Sequence, residues 1–168
     1  MLQFSKGEKE FILRYLTSSD VDKYLIFFND LSEESIRCRF GYLISRLSES
    51  DAEERICGNT DVDKAIAIFD ERQNRILAIG RVYLDPKTNS AEIAFVVSES
   101  MRRMGLGRFL LLQLIQIAEE EKCLSISAFI ATSNAPVIEL LKSVGFMIAS
   151  PNPDNELELI LELIRDQA

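Results

Sequence analysis

The segment Arg102-Arg103-Met104-Gly105-Leu106-Gly107 joins a predicted strand at residues 91–97 to a predicted helix at residues 106–122. Glycines at such a junction let the backbone approach a ligand closely. The start of the helix adds unpaired amides and the positive end of its dipole, a combination suited to a pyrophosphate. Arg108 adds a third arginine beside the loop. The alternative interpretation is a simple strand-to-helix turn with exposed arginines, which the loop alone does not exclude.

Two other nucleotide-binding loops fit this segment poorly. A Walker loop ends in Gly-Lys-Ser/Thr, whereas this chain has Gly107-Arg108-Phe109. A dinucleotide-binding fold places its glycine loop after the first strand of a parallel sheet. Here the loop follows the third strand of a predicted meander near the middle of the chain.

Upstream of the loop, the pattern predicts a strand, three short helices and then the meander. The first strand is expected at residues 11–15, and the helices begin at the capping residues Thr17, Ser32 and Ser48. Ser48 and Asp51 are spaced nearly as in a capping box. The meander is predicted at residues 64–69, 76–84 and 91–97, with a hairpin connection at 85–89.

Downstream of the loop, helices and strands alternate. The helix at 106–122 is followed by a strand at 125–130 and a helix at 135–144 that Gly145 ends. Leucines alternate with mostly acidic residues from Leu157 to Leu163, which indicates a strand with one wet face. The whole order predicts an α/β (α+β) fold with a mixed, mostly antiparallel sheet of six to seven strands and about four helices. Residues 1–168 are expected to form one domain.

Composition excludes several kinds of chemistry. The chain has 168 residues and no histidine, which removes Ser-His and Cys-His nucleophilic pairs and histidine-ligated zinc. A general base must then be a carboxylate, tyrosine, lysine, cysteine or ordered water. The net charge is −8, which makes nucleic acid an unfavourable partner and a cationic acceptor more plausible.

The N-terminus and the cysteines predict a reduced cytoplasmic protein. Residues 1–10 hold no apolar signal-peptide region, and no stretch reaches 18 uncharged apolar residues, so neither secretion nor a membrane span is expected. Cys38, Cys57 and Cys123 are odd in number and far apart, so they form no disulfide framework or metal cluster by spacing. The oligomeric state has no sequence signature.

With these elements in place, the chain resembles the GNAT superfamily of N-acetyltransferases. Their acyl-CoA loop reads Gln/Arg-x-x-Gly-x-Gly/Ala, which Arg102, Gly105 and Gly107 match. Gly145-Phe146 matches the usual helix end and strand start of that family. The resemblance spans about residues 11–163, and it implies a GNAT fold, acetyl-CoA as acyl donor and no metal.

A closer resemblance is to the acyltransferase domain of bacterial Pat-type protein lysine acetyltransferases. The segments that carry it are Leu31-Ser32-Glu33-Glu34-Ser35, Arg39-Phe40, Leu47-Ser48 and Ala65-Ile66-Ala67-Ile68. Pat-type proteins usually carry an acyl-CoA-synthetase-like or cyclic-nucleotide-binding region as well, and this sequence contains neither. The resemblance implies a primary amine as acceptor, with a protein lysine first.

The resemblance also implies residue roles. The donor arm is expected to pair with the strand before the loop, and the Val97 amide to face the thioester carbonyl and stabilise an oxyanion. Asn134 resembles the asparagine that faces the arm. The residues implied in binding acetyl-CoA are Phe95, Val97, Arg102, Arg103, Gly105, Leu106, Gly107, Arg108 and Asn134.

Glu92, ten residues before Arg102, occupies the position of the general base in the Pat-type domains. A lysine amine is mostly protonated at neutral pH, so a base is needed, and apolar neighbours would raise the pKa of this glutamate to a useful range. A solvated strand glutamate is the alternative.

Leu141 stands where many members carry a tyrosine as general acid, and the four tyrosines are expected to pack. A small-molecule amine acetyltransferase or a non-catalytic acyl-CoA sensor also stays open, since acceptor choice depends on residues 29–41 and 150–155.

Overall fold

In the computed structural model, residues 1–40, 47–56, 60–152 and 155–163 are described, and their strands form one twisted sheet with helices on both faces. The order across the sheet is β1-β2-β3-β4-β5-β6-β8-β7. The strands are β1 (Leu2–Lys6), β2 (Lys9–Tyr15), β3 (Asp63–Asp70), β4 (Ile76–Asp85), β5 (Ser90–Val97), β6 (Ser125–Ala131), β7 (Met147–Asn152) and β8 (Glu156–Glu162). The α-helices are α1 (Val21–Asn29), α2 (Glu33–Phe40), α3 (Glu49–Ile56), α4 (Leu106–Glu120) and α5 (Ala135–Ser143).

The predicted fold class is confirmed, but both element counts were too low. The described residues form eight strands and five α-helices rather than six to seven strands and about four helices. All neighbouring strands are antiparallel except β5 and β6. The strand with no predicted counterpart is β1, because it is short, mostly exposed and becomes a strand only by pairing with β2. For β7 the sequence predicted no range, only the strand start that the family resemblance implies at Gly145-Phe146.

The capping signals before the helices are largely confirmed. Ser48 and Asp51 exchange backbone-to-side-chain hydrogen bonds of 3.0 and 3.1 Å, which is a capping box at the start of α3. The Ser32 hydroxyl accepts a 3.2 Å bond from the Ser35 amide at the start of α2. After Thr17 the chain first makes a 3₁₀ turn, Ser18–Asp20, and α1 begins only at Val21.

Two hydrophobic cores lie on opposite faces of the sheet. The inner residues of α4 and α5 pack on one face, and α1, α2 and α3 pack on the other. The helix α4 lies so close to β4 that a Cβ on Gly80 would be 2.9 Å from Leu114. These two layers fix the directions in which the side chains of β5 point: Ala91 and Ile93 face α4, whereas Val96 packs against the other core.

Other predictions from the sequence have mixed outcomes. Cys123 is buried and Cys38 is half-buried, while Cys57 and Tyr42 lie outside the described residues. The connection expected at residues 150–155 is shorter, because β7 continues to Asn152. In the described part of the chain, no helix has the length and apolarity needed to cross a membrane.

Candidate active site

The strands β5 and β6 separate after a short paired stretch and leave a cleft in the sheet. Their parallel pairing runs only from Ser90–Ser125 to Glu92–Ser127. Beyond that point β5 stays paired to β4 through Val97, and β6 stays paired to β8 through Ala131. The facing edges of the two strands therefore carry backbone groups that no neighbouring strand in the described sheet uses.

The hydrogen bonds of β5 show which of its amides face this cleft. The Ser98 amide donates to the Leu77 carbonyl of β4 at 2.9 Å. Because backbone groups of successive residues point to opposite edges of a strand, the Phe95 and Val97 amides point away from β4 and into the cleft. Both sequence-predicted backbone sites are thus open to an extended ligand that lies along β5.

The glycine loop forms an amide-lined end to the cleft. Gly105 is the N-cap of α4 with φ of 78°, in the left-handed region that glycine adopts without strain. The first bond of the helix runs from the Phe109 amide to the Gly105 carbonyl at 3.1 Å. The amides of Leu106, Gly107 and Arg108 precede that bond, so they lack an intrahelical acceptor and can bind an anion.

The two flanking helices enclose the same end of the cleft. A Cβ on Gly107 would lie 3.6 Å from Val97 and 3.5 Å from Leu140, so β5, α4 and α5 meet there. Asn134 is the half-buried N-cap of α5 and follows the end of β6 by three residues. The fold thus places Asn134 just beyond the end of β6, the strand that borders the open part of the cleft.

The three loop arginines differ in their partners. The Arg102 guanidinium donates to the Ser35 hydroxyl at 2.6 Å and lies 3.6 Å from the Glu99 carboxylate. Arg108 donates to the Ser143 hydroxyl at 2.8 Å. Arg103 is exposed, with a left-handed φ of 62°, and within the described ranges no carboxylate lies at ion-pair distance from it. Only part of the positive charge at the loop is therefore neutralised.

Glu99 anchors α2 to the loop, a contact that the sequence did not predict. One of its carboxylate oxygens accepts bonds from the Ser32 amide at 3.0 Å, the Ser32 hydroxyl at 2.7 Å and the Ser35 hydroxyl at 2.5 Å. Partial burial would raise the pKa of Glu99, but these bonds outweigh it and lower the pKa to about 2. Glu99 therefore stays ionised at neutral pH and holds Arg102 and α2 together.

Glu99→Gln should lower the free energy of unfolding by about 1 kcal/mol at pH 7, because an amide accepts these bonds less strongly than a carboxylate. The side chain is 34% exposed, so solvent screening limits the loss. The pKa of Glu99 is lower in the folded state than its unfolded value near 4.5, so its carboxylate stabilises the fold fully at pH values above 4.5. This stability is lost as the pH falls towards 2. Urea unfolding should show the difference from wild type shrinking over that range.

The control for this prediction is Glu71→Gln, which removes the same charge from an exposed turn. It should change the unfolding free energy by less than about 0.5 kcal/mol. A Glu99→Gln protein as stable as this control at pH 7 would contradict the anchoring role.

Glu92 lies at the closed end of the cleft, on the sheet face covered by α2. Its carboxylate reaches solvent, yet partial burial raises its pKa; nearby Glu156 adds to the rise and Arg39 opposes it. The direction agrees with a base that works near neutral pH. The register also places Tyr83 of β4 directly opposite Glu92, on the same face. Sequence spacing could not reveal this neighbour, because the two residues belong to different strands.

Two predicted proton-transfer positions can be judged from the geometry. Leu141 is fully buried in the core, so this position offers no proton donor. Glu92 and Val97 are five residues apart on one strand, a distance of about 16 Å. Glu92 therefore cannot contact an amine that attacks a thioester held at the Val97 amide, and such a proton must pass through water. The role of Glu92 as general base stays a prediction.

In the described part of the chain, no three His, Cys, Asp or Glu side chains lie grouped as a metal site would require. What the geometry offers is an amide-lined anion site, an open strand edge of β5 and a carboxylate at the far end. These are the groups needed to hold a long phosphorylated donor and to accept a proton from its acceptor.

Residues 28–146 match the model of the acetyltransferase (GNAT) family. Among solved structures, the GNAT domain of S. lividans PAT is similar with a TM-score of 0.85 and 20% identity, over 94% of this chain and 93% of that one. Spermidine N-acetyltransferase from Vibrio cholerae, in complex with CoA and spermine, has a TM-score of 0.75 and 14% identity, over 90% and 95%. The ribosomal-protein-S5-alanine acetyltransferase from Vibrio fischeri has a TM-score of 0.76 and 11% identity, over 96% and 97%. At these identities the structures show a shared fold.

Proposed function

The chain belongs to the GNAT acetyltransferase family and is an acetyl-CoA-dependent N-acetyltransferase that acts on an amine; on that premise, we propose that the amine is a protein lysine and that Glu92 is the general base. The observation that carries this proposal is the position of Glu92, at the closed end of the β5–β6 cleft with its pKa raised by burial. A base there can draw a proton from an acceptor that enters from the α2 side.

The charges on the acceptor face favour a single amine over a polycation. Arg39 and Arg55 both lie over the Phe40 ring, at 4.9 and 4.8 Å from its centroid. Arg81, on β4, lines a narrow pocket between the sheet and the helices, together with Arg39 and Arg55. Arg81 is paired with Asp63 at 3.4 Å, so the guanidinium groups of Arg39 and Arg55 carry most of the repulsion that a polyamine with several charges would meet. A lysine on a protein surface brings one ammonium, and acidic neighbours on that surface could pair with the arginines.

The donor would lie along β5. Acetyl-CoA supplies the acetyl group as a thioester, its pyrophosphate would accept bonds from the amides of Leu106, Gly107 and Arg108, and its arm would meet the amides of Phe95 and Val97. The Val97 amide would then donate to the carbonyl oxygen as negative charge develops on it. Arg102, Arg103 and Asn134 would complete the donor site.

Proton transfer would be water-mediated at both ends of the reaction. A chain of ordered waters that ends at Glu92 would take the proton from the lysine ammonium, since direct contact is too long for a thioester at Val97. The CoA thiolate would take its proton from solvent, because Leu141 offers none. We propose further that residues 1–168 act as one domain.

Intact-mass measurement of acetylated products tests this function. Acetyl-CoA and the protein are mixed in parallel with lysine-containing proteins, with peptides whose only amine is one lysine, and with spermidine. The proposal expects +42 Da on proteins and peptides and little on spermidine. Efficient spermidine acetylation would favour a small-molecule enzyme instead, and CoA binding without any acetylation would favour a sensor.

The rate of lysine acetylation should fall as salt rises, since the chain carries a net charge of −8 and attracts cationic acceptors over a distance. The Debye length falls from about 10 Å at 0.1 M to about 3 Å at 1 M. kcat/KM for a peptide whose only amine is one lysine should therefore drop across this range, measured with acetyl-CoA saturating so that its own binding does not contribute. A flat profile would remove the electrostatic argument for a cationic acceptor.

A further inference from the structure

The N-terminal hairpin places a lysine over the glycine loop, outside both the loop motif and the region that matches the family. The Lys6 ammonium nitrogen lies 3.7 Å, and its Cε 3.9 Å, from the position that a Cβ on Gly105 would occupy. In the described structure, no other non-neighbouring side chain or backbone atom comes within 4 Å of that position. Lys6 thus borders the space directly above the N-cap of α4.

The position of Lys6 follows from packing of the hairpin against α4. Side chains on a strand alternate between its two faces, so Phe4 and Lys6 of β1 point to the same face. The Phe4 ring stacks on Phe109 of α4, with centroids 3.8 Å apart, and on Phe11 of β2, at 5.5 Å. These aromatic contacts fix β1 against the first turn of α4. Lys6 lies two residues after Phe4 on the same face of β1, and its side chain extends to the loop.

The charges around Lys6 are unfavourable in the absence of an anion. Lys6 pairs directly across the hairpin with Lys9, and like charges at such positions repel. A cation at a helix N-terminus also opposes the helix dipole. The first turn of α4 carries no acidic residue, whereas those of α1, α2 and α3 do. In the described part of the chain, no carboxylate forms an ion pair with Lys6.

We infer that Lys6 binds the pyrophosphate of acetyl-CoA, as a phosphate ligand supplied by the N-terminal hairpin to the loop at Gly105. An anion held by the amides of Leu106 and Gly107 would lie between Lys6 and the helix N-terminus and would attract both. This inference rests on the proposed placement of the donor at the loop. It identifies a specificity contact for the phosphorylated end of the donor.

Calorimetric titration with CoA and with 3′-dephospho-CoA tests the assignment. Lys6→Gln should weaken both ligands by the same factor, about threefold to tenfold, because both carry the pyrophosphate. Lys6→Arg should restore most of the affinity. Lys87→Gln is the matched control: it removes the same charge from an exposed turn at the opposite end of the sheet, and it should bind CoA as wild type does.

Thermal unfolding gives a second readout that separates ligand binding from a structural role. Without CoA, Lys6→Gln should leave Tm unchanged or raise it, since the substitution relieves repulsion. With CoA, its Tm increase should be smaller than that of wild type. A lower Tm without CoA would instead mean that Lys6 supports the fold, and would overturn the inference.

The remaining outcomes also decide the matter. Lys6→Gln with the CoA affinity of Lys87→Gln would overturn the inference, and so would a loss that disappears with 3′-dephospho-CoA, which would assign Lys6 to the 3′-phosphate. In either case the placement of the donor at the loop stands if Gly105→Asp weakens CoA binding at least tenfold. A wild-type protein that binds no CoA would overturn the placement itself.

Discussion

Glu92→Gln should lower kcat for lysine acetylation by about 10²- to 10⁴-fold at pH 7, the range typical of a lost general base. Glutamine keeps the shape and hydrogen-bonding capacity of the side chain but cannot accept the proton. Acetyl-CoA affinity should barely change, because the glycine loop is far from the closed end of the cleft. Steady-state kinetics and calorimetry on the same preparation measure the two effects.

The lost activity of Glu92→Gln should partly return at high pH. A lysine amine has a pKa near 10.4, so more of it is already neutral as the pH rises, and the need for a base falls. A damaged fold would not recover in this way. For the wild type, kcat/KM should rise as the pH passes the pKa of Glu92, which burial sets above the ordinary value.

Glu162→Gln is the matched control, since it makes the same change at an exposed position of β8. It should retain wild-type kinetics. Near wild-type turnover in Glu92→Gln at pH 7 would sink the assignment and leave Glu92 as a solvated strand residue that happens to face the cleft.

Gly105→Asp should weaken CoA binding at least tenfold, on the order of 1.4 kcal/mol or more. The substitution puts a negative charge at the helix start where the pyrophosphate would bind, and repulsion replaces attraction. It also forces a side chain into a left-handed backbone conformation with φ of 78°, beside Lys6. Calorimetry measures the affinity, and circular dichroism checks that the protein is folded.

Gly105→Asn separates the effect of charge from that of shape. Asparagine has nearly the same size as aspartate and tolerates left-handed backbone well, so it carries the steric cost without the charge. We expect its affinity to lie between those of wild type and Gly105→Asp. Unchanged CoA binding in a folded Gly105→Asp protein would rule out the loop as the pyrophosphate site.

The fold class, most element positions and the two ends of the site could be predicted from the sequence, because their signals are local. The capping pair Ser48 and Asp51 and the glycines before α4 act within a few residues of one another. Strand alternation likewise follows from neighbours along the chain. The loop motif predicts the donor site from neighbouring residues, whereas the role of Glu92 as base is implied by the family resemblance; both assignments stay predictions.

The tertiary structure alone decided which distant residues share that site. Register places Tyr83 opposite Glu92, and partial pairing of β5 with β6 opens the cleft between Phe95 and Asn134. Packing brings two further groups to the loop, Glu99 with its serine partners and Lys6 from the missed strand β1. Most of these contacts join residues far apart in the chain, up to about 100 positions for Lys6 and Gly105, although Tyr83 and Glu92 are only nine positions apart. No periodicity encodes them, because they depend on how the two faces of the sheet are packed.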